Sequence, residues 1–311
     1  MSSSPILIVP GEKKSIFFEI FFKSLRLKSI SSPLVLICDK KSLDREKKKY
    51  KFKKYILEEI KLNQISYKKF YKKKIYVINV KYLSSNSYIH KCFQVAFKMI
   101  KKGFTNKLIN GPINKTKTLN KKYLGVTEFV AKNFKQDKFA MLIYNKKLSV
   151  SPITTHLPLK LVAKKITKKI IKEKIIVIND FYKNILGVKP KIAVLGLNPH
   201  CESILKFNED DKIIRPVIKF FKNKINIKGP FPADTIFQKK NRKKFDIIIG
   251  MYHDQVLTPI KTIFEYDAIN ITIGLPFLRV TPDHGPNEKM FGKNVSNPIS
   301  LIKCLEFLDK R

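Results

Sequence analysis

The chain has 311 residues, 44% of them hydrophobic and 28% charged, enough to build one large α/β unit or two lobes. Mean hydropathy is −0.17, no apolar run approaches the ~20 residues of a membrane-spanning helix, and the short stretch Pro5–Pro10 lacks the basic flank of a signal peptide. A cytoplasmic protein with no membrane partner is expected. The formal net charge of +40 comes almost wholly from lysines spread along the chain, with arginine only at positions 26, 45, 215, 242, 279 and 311. Lysine runs such as Lys47–Lys49 and Lys72–Lys74 therefore read as solvated faces; no specific nucleic-acid partner is expected, only weak binding at low salt.

Short β-branched runs alternate with longer helical stretches. Strands are expected at Ile6–Val9, Leu34–Cys38, Lys74–Val80, Lys107–Asn110, Phe139–Tyr144, Leu148–Thr154, Lys191–Leu197, Asp246–Gly250 and Ala268–Ile273. Helices are expected at Ser15–Leu25, Ile89–Lys102, Leu159–Leu186, Ile213–Lys222 and Pro298–Leu308. In Leu159–Leu186 the apolar positions Val162, Ile166, Ile170 and Ile171 recur at helical spacing with lysines on the other face. Strands separated by helices point to an α/β fold with a largely parallel sheet. The charged stretch Glu202–Lys212 reads as a surface loop, and neither an internal repeat nor a flexible linker divides the chain. Cys38, Cys92, Cys201 and Cys304 form no CxxC pair, so a reduced compartment without a disulfide framework is expected.

The chemistry centres on histidine, which occurs five times. His156, His200 and His253 each follow a predicted strand, and ligands of parallel α/β sheets gather at strand C-terminal ends. Three such residues could share a divalent ion and leave positions open for substrate. They could equally be helix caps or loop hydrogen-bonders, and their separations of 44 and 53 residues match no local metal motif. A second group is directed at phosphate: Asn110-Gly111-Pro112-Ile113-Asn114-Lys115, then Lys261, Asn270 and Arg279. No Gly-x-Gly-x-x-Gly fingerprint or Walker loop is present.

Taken together the motifs resemble the 4-hydroxythreonine-4-phosphate dehydrogenase family of vitamin B6 synthesis. They are Gly111-Pro112-Ile113-Asn114-Lys115, Thr127-Glu128-Phe129, Thr154-Thr155-His156-Leu157-Pro158-Leu159 and Gly196-Leu197-Asn198-Pro199-His200. Further along come Gly229-Pro230-Phe231-Pro232-Ala233-Asp234-Thr235, Met251-Tyr252-His253-Asp254-Gln255, Asn270–Arg279 and Asp283-His284-Gly285. The resemblance implies a two-lobed α/β/α subunit like isocitrate and isopropylmalate dehydrogenases, with the active site in the interlobe cleft. The lobes would be about residues 1–120 with 285–311, and 121–284. It implies a homodimer with a divalent metal (Zn, Mg, Co or Mn) at the interface on His156, His200 and His253. It implies substrate contacts from Thr127, Lys261, Asn270 and Arg279, further site positions at Lys115, Asp234, Asp254 and Asp283, and NAD or NADP near Asn198 and Gly274. The implied reaction is oxidation of 4-phosphohydroxy-L-threonine to a β-keto acid that decarboxylates to 3-amino-2-oxopropyl phosphate, toward pyridoxal 5'-phosphate.

Four stretches depart from the family pattern. Gly11-Glu12-Lys13-Lys14-Ser15-Ile16-Phe17-Phe18-Glu19 loses glycines and prolines; Gly125-Val126-Thr127-Glu128 has valine where the family has histidine. Cys201-Glu202-Ser203-Ile204 replaces a glycine-containing loop, and Gly285-Pro286-Asn287 a Gly-Thr-Ala. The alternatives are a dehydrogenase of threonate or erythronate 4-phosphate, for which Val126 speaks, and a degraded, non-catalytic basic binding protein.

Overall fold

The computed structural model describes residues 4–65, 69–71, 73–114, 123, 125–204 and 207–311. Among them the strands in chain order are β1 Ile6–Val9, β2 Leu34–Cys38, β3 Ile56–Glu59, β4 Lys74–Asn79, β5 Lys107–Asn110, β6 Ala140–Tyr144, β7 Ser149–Thr154, β8 Ile192–Leu195, β9 Ile227–Phe231, β10 Ile247–Tyr252, β11 Ile269–Ile273 and β12 Leu278–Pro282. The longer helices are α1 Phe17–Leu27, α2 Lys40–Lys49, α3 Ser85–Lys101, α4 Val126–Asn133, α5 Lys168–Phe181, α6 Arg215–Phe221, α7 His253–Phe264 and α8 Ile299–Asp309.

Two compact units result, Met1–Phe129 with Pro276–Arg311, and Val130–Leu275. In the first, the strand order is β3-β4-β2-β1-β5-β12 and every pairing is parallel. β1, β2 and β5 are buried along their whole length, which is why they read as continuous apolar runs rather than as alternation. Helix α1 packs with Phe17, Phe21, Phe22 and Leu25 buried, its Phe22 ring 4.8 Å from that of Phe52. Asp39 starts α2 by accepting the Ser42 amide at 2.7 Å.

In the second unit the order is β11-β6-β7-β10-β8-β9. β6 runs antiparallel to both β11 and β7, while β7, β10, β8 and β9 are parallel. Val150, Ala193, Leu195 and Ile248 form the core that receives Val256, Leu257 and Ile260 from α7.

The predicted strands appear to within two or three residues at each end, and three others were not expected. β3 lies at the sheet edge with Ile56 63% exposed, and β9, also an edge strand, contains Gly229-Pro230; neither presents the apolar signature of a central strand. β12 begins inside the run Gly274–Arg279 and holds Arg279 as its second residue. The single helix expected over Leu159–Leu186 is broken. A short helix ends at Lys165, Thr167 caps α5 by accepting the Ile170 amide at 3.3 Å, and Gly187, at φ +70°, terminates the segment.

Candidate active site

β7, β10 and β8 are consecutive and parallel in the second unit, so the chain leaves all three at the same end of the sheet, that of their C-termini. His156 follows β7, His253 opens α7 directly after β10, and His200 sits in the turn Pro199–Cys201 after β8. The His156 and His253 rings lie 5.9 Å apart at 39°. Asp254 Oδ1 is 2.6 Å from His253 Nδ1, a contact that leaves the other ring nitrogen for a ligand. His200 and Cys201 both adopt left-handed backbone, φ +56° and +60°, a conformation costing about 1–2 kcal/mol for each side-chain-bearing residue. Among the described residues no group of three His, Cys, Asp or Glu is close enough to hold a metal. The structure thus assembles two of the three imidazoles and presents His200 on the adjoining turn. Two neighbouring imidazoles are donors of the type a divalent ion takes, and a third would have to come from the His200 turn to complete a three-nitrogen set.

The remaining candidates of this unit differ in what surrounds them. Asn270, on β11, has a buried Oδ1 with no hydrogen-bond partner among the described residues. Lys261 is exposed on α7, and Asp234 is exposed at the start of the short helix Ala233–Ile236. The side-chain amide of Asn198 donates to Asp210 Oδ2 at 2.9 Å and Glu209 Oε2 at 3.2 Å. Gly274 has φ +89°, and a Cβ there would stand 2.4 Å from the Lys138 carbonyl oxygen. Close backbone packing therefore accounts for that glycine.

In the first unit, Arg279 is 3% exposed. Its Nε donates to Asn110 Oδ1 at 2.8 Å and its Nη1 to Thr127 Oγ1 at 3.2 Å. Burial pushes its pKa down to about 10, with Glu128 pulling the other way, so the guanidinium stays charged near neutral pH. Asn110 is fixed in turn by donating to the Gly111 carbonyl at 2.9 Å. The loops after β1 and β5 are locked together: Gly111 N donates to Val9 O at 2.8 Å, Glu12 N to Pro112 O at 3.0 Å, and Asn114 N to Glu12 Oε1 at 3.1 Å. A Cβ on Gly111 would come within 2.0 Å of the Pro10 carbonyl oxygen. Asp283 follows β12, its amide donating to Ser300 Oγ at 2.9 Å. Lys115 lies outside the described residues.

The sequence places Asn110 in the phosphate-directed stretch but does not mark it as the partner of Arg279, and it does not single out Asp210. The stretch Glu202–Lys212 was expected to be a surface loop, whereas Asp210 is fully buried and opens the helical turn Asp210–Ile214.

The model of the family described as pyridoxal phosphate biosynthetic protein PdxA matches residues 29–308. A 4-hydroxythreonine-4-phosphate dehydrogenase of Sulfurihydrogenibium sp. is 36% identical over 311 residues, covering 97% of this chain and 96% of the relative. A D-threonate 4-phosphate dehydrogenase of Pectobacterium atrosepticum is 34% identical over 200 residues, 63% of this chain and 61% of the relative. The crystal structure of 4-hydroxythreonine-4-phosphate dehydrogenase from Klebsiella pneumoniae superposes with TM-score 0.82 at 28% identity, covering 98% of each chain. A beta-decarboxylating dehydrogenase from Thermococcus kodakarensis shares the fold at TM-score 0.55 and 12% identity, covering 98% of this chain and 82% of that one. With the family model spanning most of its length and a full-length relative above one-third identity, the chain belongs to the 4-hydroxythreonine-4-phosphate dehydrogenase (PdxA) family.

Proposed function

We propose that this protein oxidises the secondary alcohol of 4-phosphohydroxy-L-threonine, passing a hydride to NAD or NADP, as a step of pyridoxal 5'-phosphate synthesis in the cytoplasm. The observation that carries this is the pairing of the His156 and His253 rings, 5.9 Å apart at adjacent parallel strand ends, in a chain of this family. His156, His253 and His200 would hold a divalent ion (Zn, Mg, Co or Mn). When bound, the ion eases loss of the alcohol proton and the nicotinamide accepts the hydride. The strain at His200 and Cys201 supports this reading, because left-handed backbone at non-glycine residues concentrates at ligand sites.

The chain's own groups bind and orient the substrate. Arg279, oriented by donating to Asn110 and Thr127, supplies a fixed cation for a phosphate or carboxylate. The buried Asn270 Oδ1 offers an acceptor to the substrate's amino or hydroxyl hydrogens. Lys261, exposed on α7, adds a positive charge. The oxidised product is a β-keto acid, which loses carbon dioxide to give 3-amino-2-oxopropyl phosphate. The protein would act as a homodimer with the metal site at its interface; Leu159, 69% exposed, and Leu161 on the loop after His156 support a partner surface there. A second reading, oxidation of D-threonate 4-phosphate, is favoured by Val126 in place of the family's histidine and by the Pectobacterium relative.

The test is metal-stripped protein reloaded with each divalent ion and assayed by NADH absorbance on both substrates. Metal-dependent turnover of 4-phosphohydroxy-L-threonine, abolished in His253→Ala, is expected. Turnover of D-threonate 4-phosphate alone would transfer the proposal to that substrate. A chain that neither binds a divalent ion nor dimerises would end it.

A further inference from the structure

We propose that Gln255 is a positioning residue: it ties the turn that carries His200 to the strand end that carries His253, and thereby sets whether the third imidazole joins the other two on one ion. The inference rests on the reading that these histidines bind a metal.

The need for such a tie is visible in the strand registers. β7 and β10 remain paired to their ends, with Tyr252 opposite Thr154. Thr154 Oγ1 adds a bond to the Met251 carbonyl at 2.8 Å. His156 and His253 thus leave from a ladder that holds them side by side. β10 and β8 behave differently, since their pairing runs only as far as Ile249 opposite Val194. Past that point, among the described residues, no ladder pairing ties the His200 turn to β10.

Gln255 bridges this gap. It is 9% exposed, two residues beyond His253 in the first turn of α7. Its Oε1 accepts the Met251 amide at 2.7 Å, and its Nε2 donates to the Gly196 carbonyl at 2.8 Å. The primary amide places a donor and an acceptor on one planar group, matched to the Met251 amide and the Gly196 carbonyl. The surroundings are shaped around it, because a Cβ on Gly250 would stand 2.9 Å from Gln255 Oε1 and 2.5 Å from Val256 Cγ1. Gly196 is held from its other side as well. A Cβ there would lie 2.6 Å from Asp210 Oδ1, and the Asp210 carboxylate, fully buried, accepts the amides of Leu197 at 2.9 Å and Asn198 at 3.1 Å. The segment from Gly196 to Asn198 is therefore clamped between Gln255 and Asp210, and the strained residues His200 and Cys201 follow directly.

The test measures cobalt binding to the full chain, by titration and by the visible ligand-field spectrum, in wild type, Gln255→Met, Gln255→Glu, His200→Ala and His200→Ala/Gln255→Met. Gln255→Met removes both bonds; Gln255→Glu, when ionised, keeps the acceptor for Met251 and sets a second acceptor oxygen against the Gly196 carbonyl, so at a pH that ionises it the variant remains informative if the methionine variant fails to fold. The expected result is cobalt affinity about tenfold or more below wild type in both Gln255 variants, with a changed spectrum. Adding Gln255→Met to His200→Ala should cost less than twofold further, because the two residues then act through the same ligand. Affinity within twofold of wild type in a folded Gln255 variant, or fully additive losses in the double variant, would overturn the proposal while leaving the metal reading standing. Failure of the wild-type chain to bind cobalt would overturn the metal reading, and this inference with it.

Discussion

Replacing Asn110 by leucine removes the acceptor that holds the Arg279 guanidinium and keeps roughly the same side-chain volume. The bond is short, 2.8 Å, and its partners are 2% and 3% exposed, so water cannot replace it without entering the unit. A hydrogen bond to a charged group contributes about 1.5–3 kcal/mol, and at ~1.4 kcal/mol per decade that corresponds to roughly a 10- to 150-fold change in an equilibrium or rate constant. Thr127 still accepts from Nη1, so Arg279 keeps that anchor while its Nε loses the acceptor that fixes it. If Arg279 grips the substrate's anionic group, the loss falls on kcat/KM in initial-rate NADH assays and mainly on KM, because the grip is made in ground state and transition state alike. Arg279→Lys should fall in the same range, since an ammonium cannot reproduce the two-pronged geometry. A kcat/KM for Asn110→Leu within threefold of wild type would refute the argument that this pair positions the cation.

Two further outcomes follow from burial and backbone geometry alone. Gly274→Ala would force a Cβ to 2.4 Å from the Lys138 carbonyl oxygen at φ +89°. It should lower stability by about 2–4 kcal/mol, read as a fall in the urea midpoint, and an unchanged midpoint would contradict the close approach. Cys38, Cys92, Cys201 and Cys304 are all buried. Burial raises every one of their pKa values, that of Cys92 to about 12 and those of Cys38 and Cys304 well above the ordinary thiol range. Native protein at about pH 8 should therefore react with a thiol-disulfide reagent only as fast as it opens, and release all four thiols in denaturant. One rapidly reacting thiol in the native state would show that a cysteine, Cys201 first, is open to solvent.

Much of this architecture could be read residue by residue. The strands at Ile6, Leu34, Lys107 and Ser149 declare themselves because central parallel strands need apolar side chains on both faces, and local sequence records that need. The placement of His156, His200 and His253 after strands is local too. What the sequence could not supply was which strands are neighbours. β7, β10 and β8 are adjacent in the order 7-10-8, so two histidines separated by 97 residues meet while the third comes from the strand on the far side of β10. The edge strands β3 and β9 were missed for the complementary reason: half-exposed strands carry little apolar signal. The break before α5 was missed because helical periodicity continues across Thr167 even though its side chain caps a new helix there.

Sequence alone therefore determined the central strands, the family and the chemical identity of the candidate ligands, because each depends on residues within one element or one motif. Tertiary structure alone decided that Asn110 clamps Arg279 across 169 positions and that Gln255 reaches Gly196 across 59. It also decided that β8 parts from β10 before the His200 turn. Such contacts depend on how buried faces pack and where strand pairing ends, and neither leaves a periodic trace along the chain.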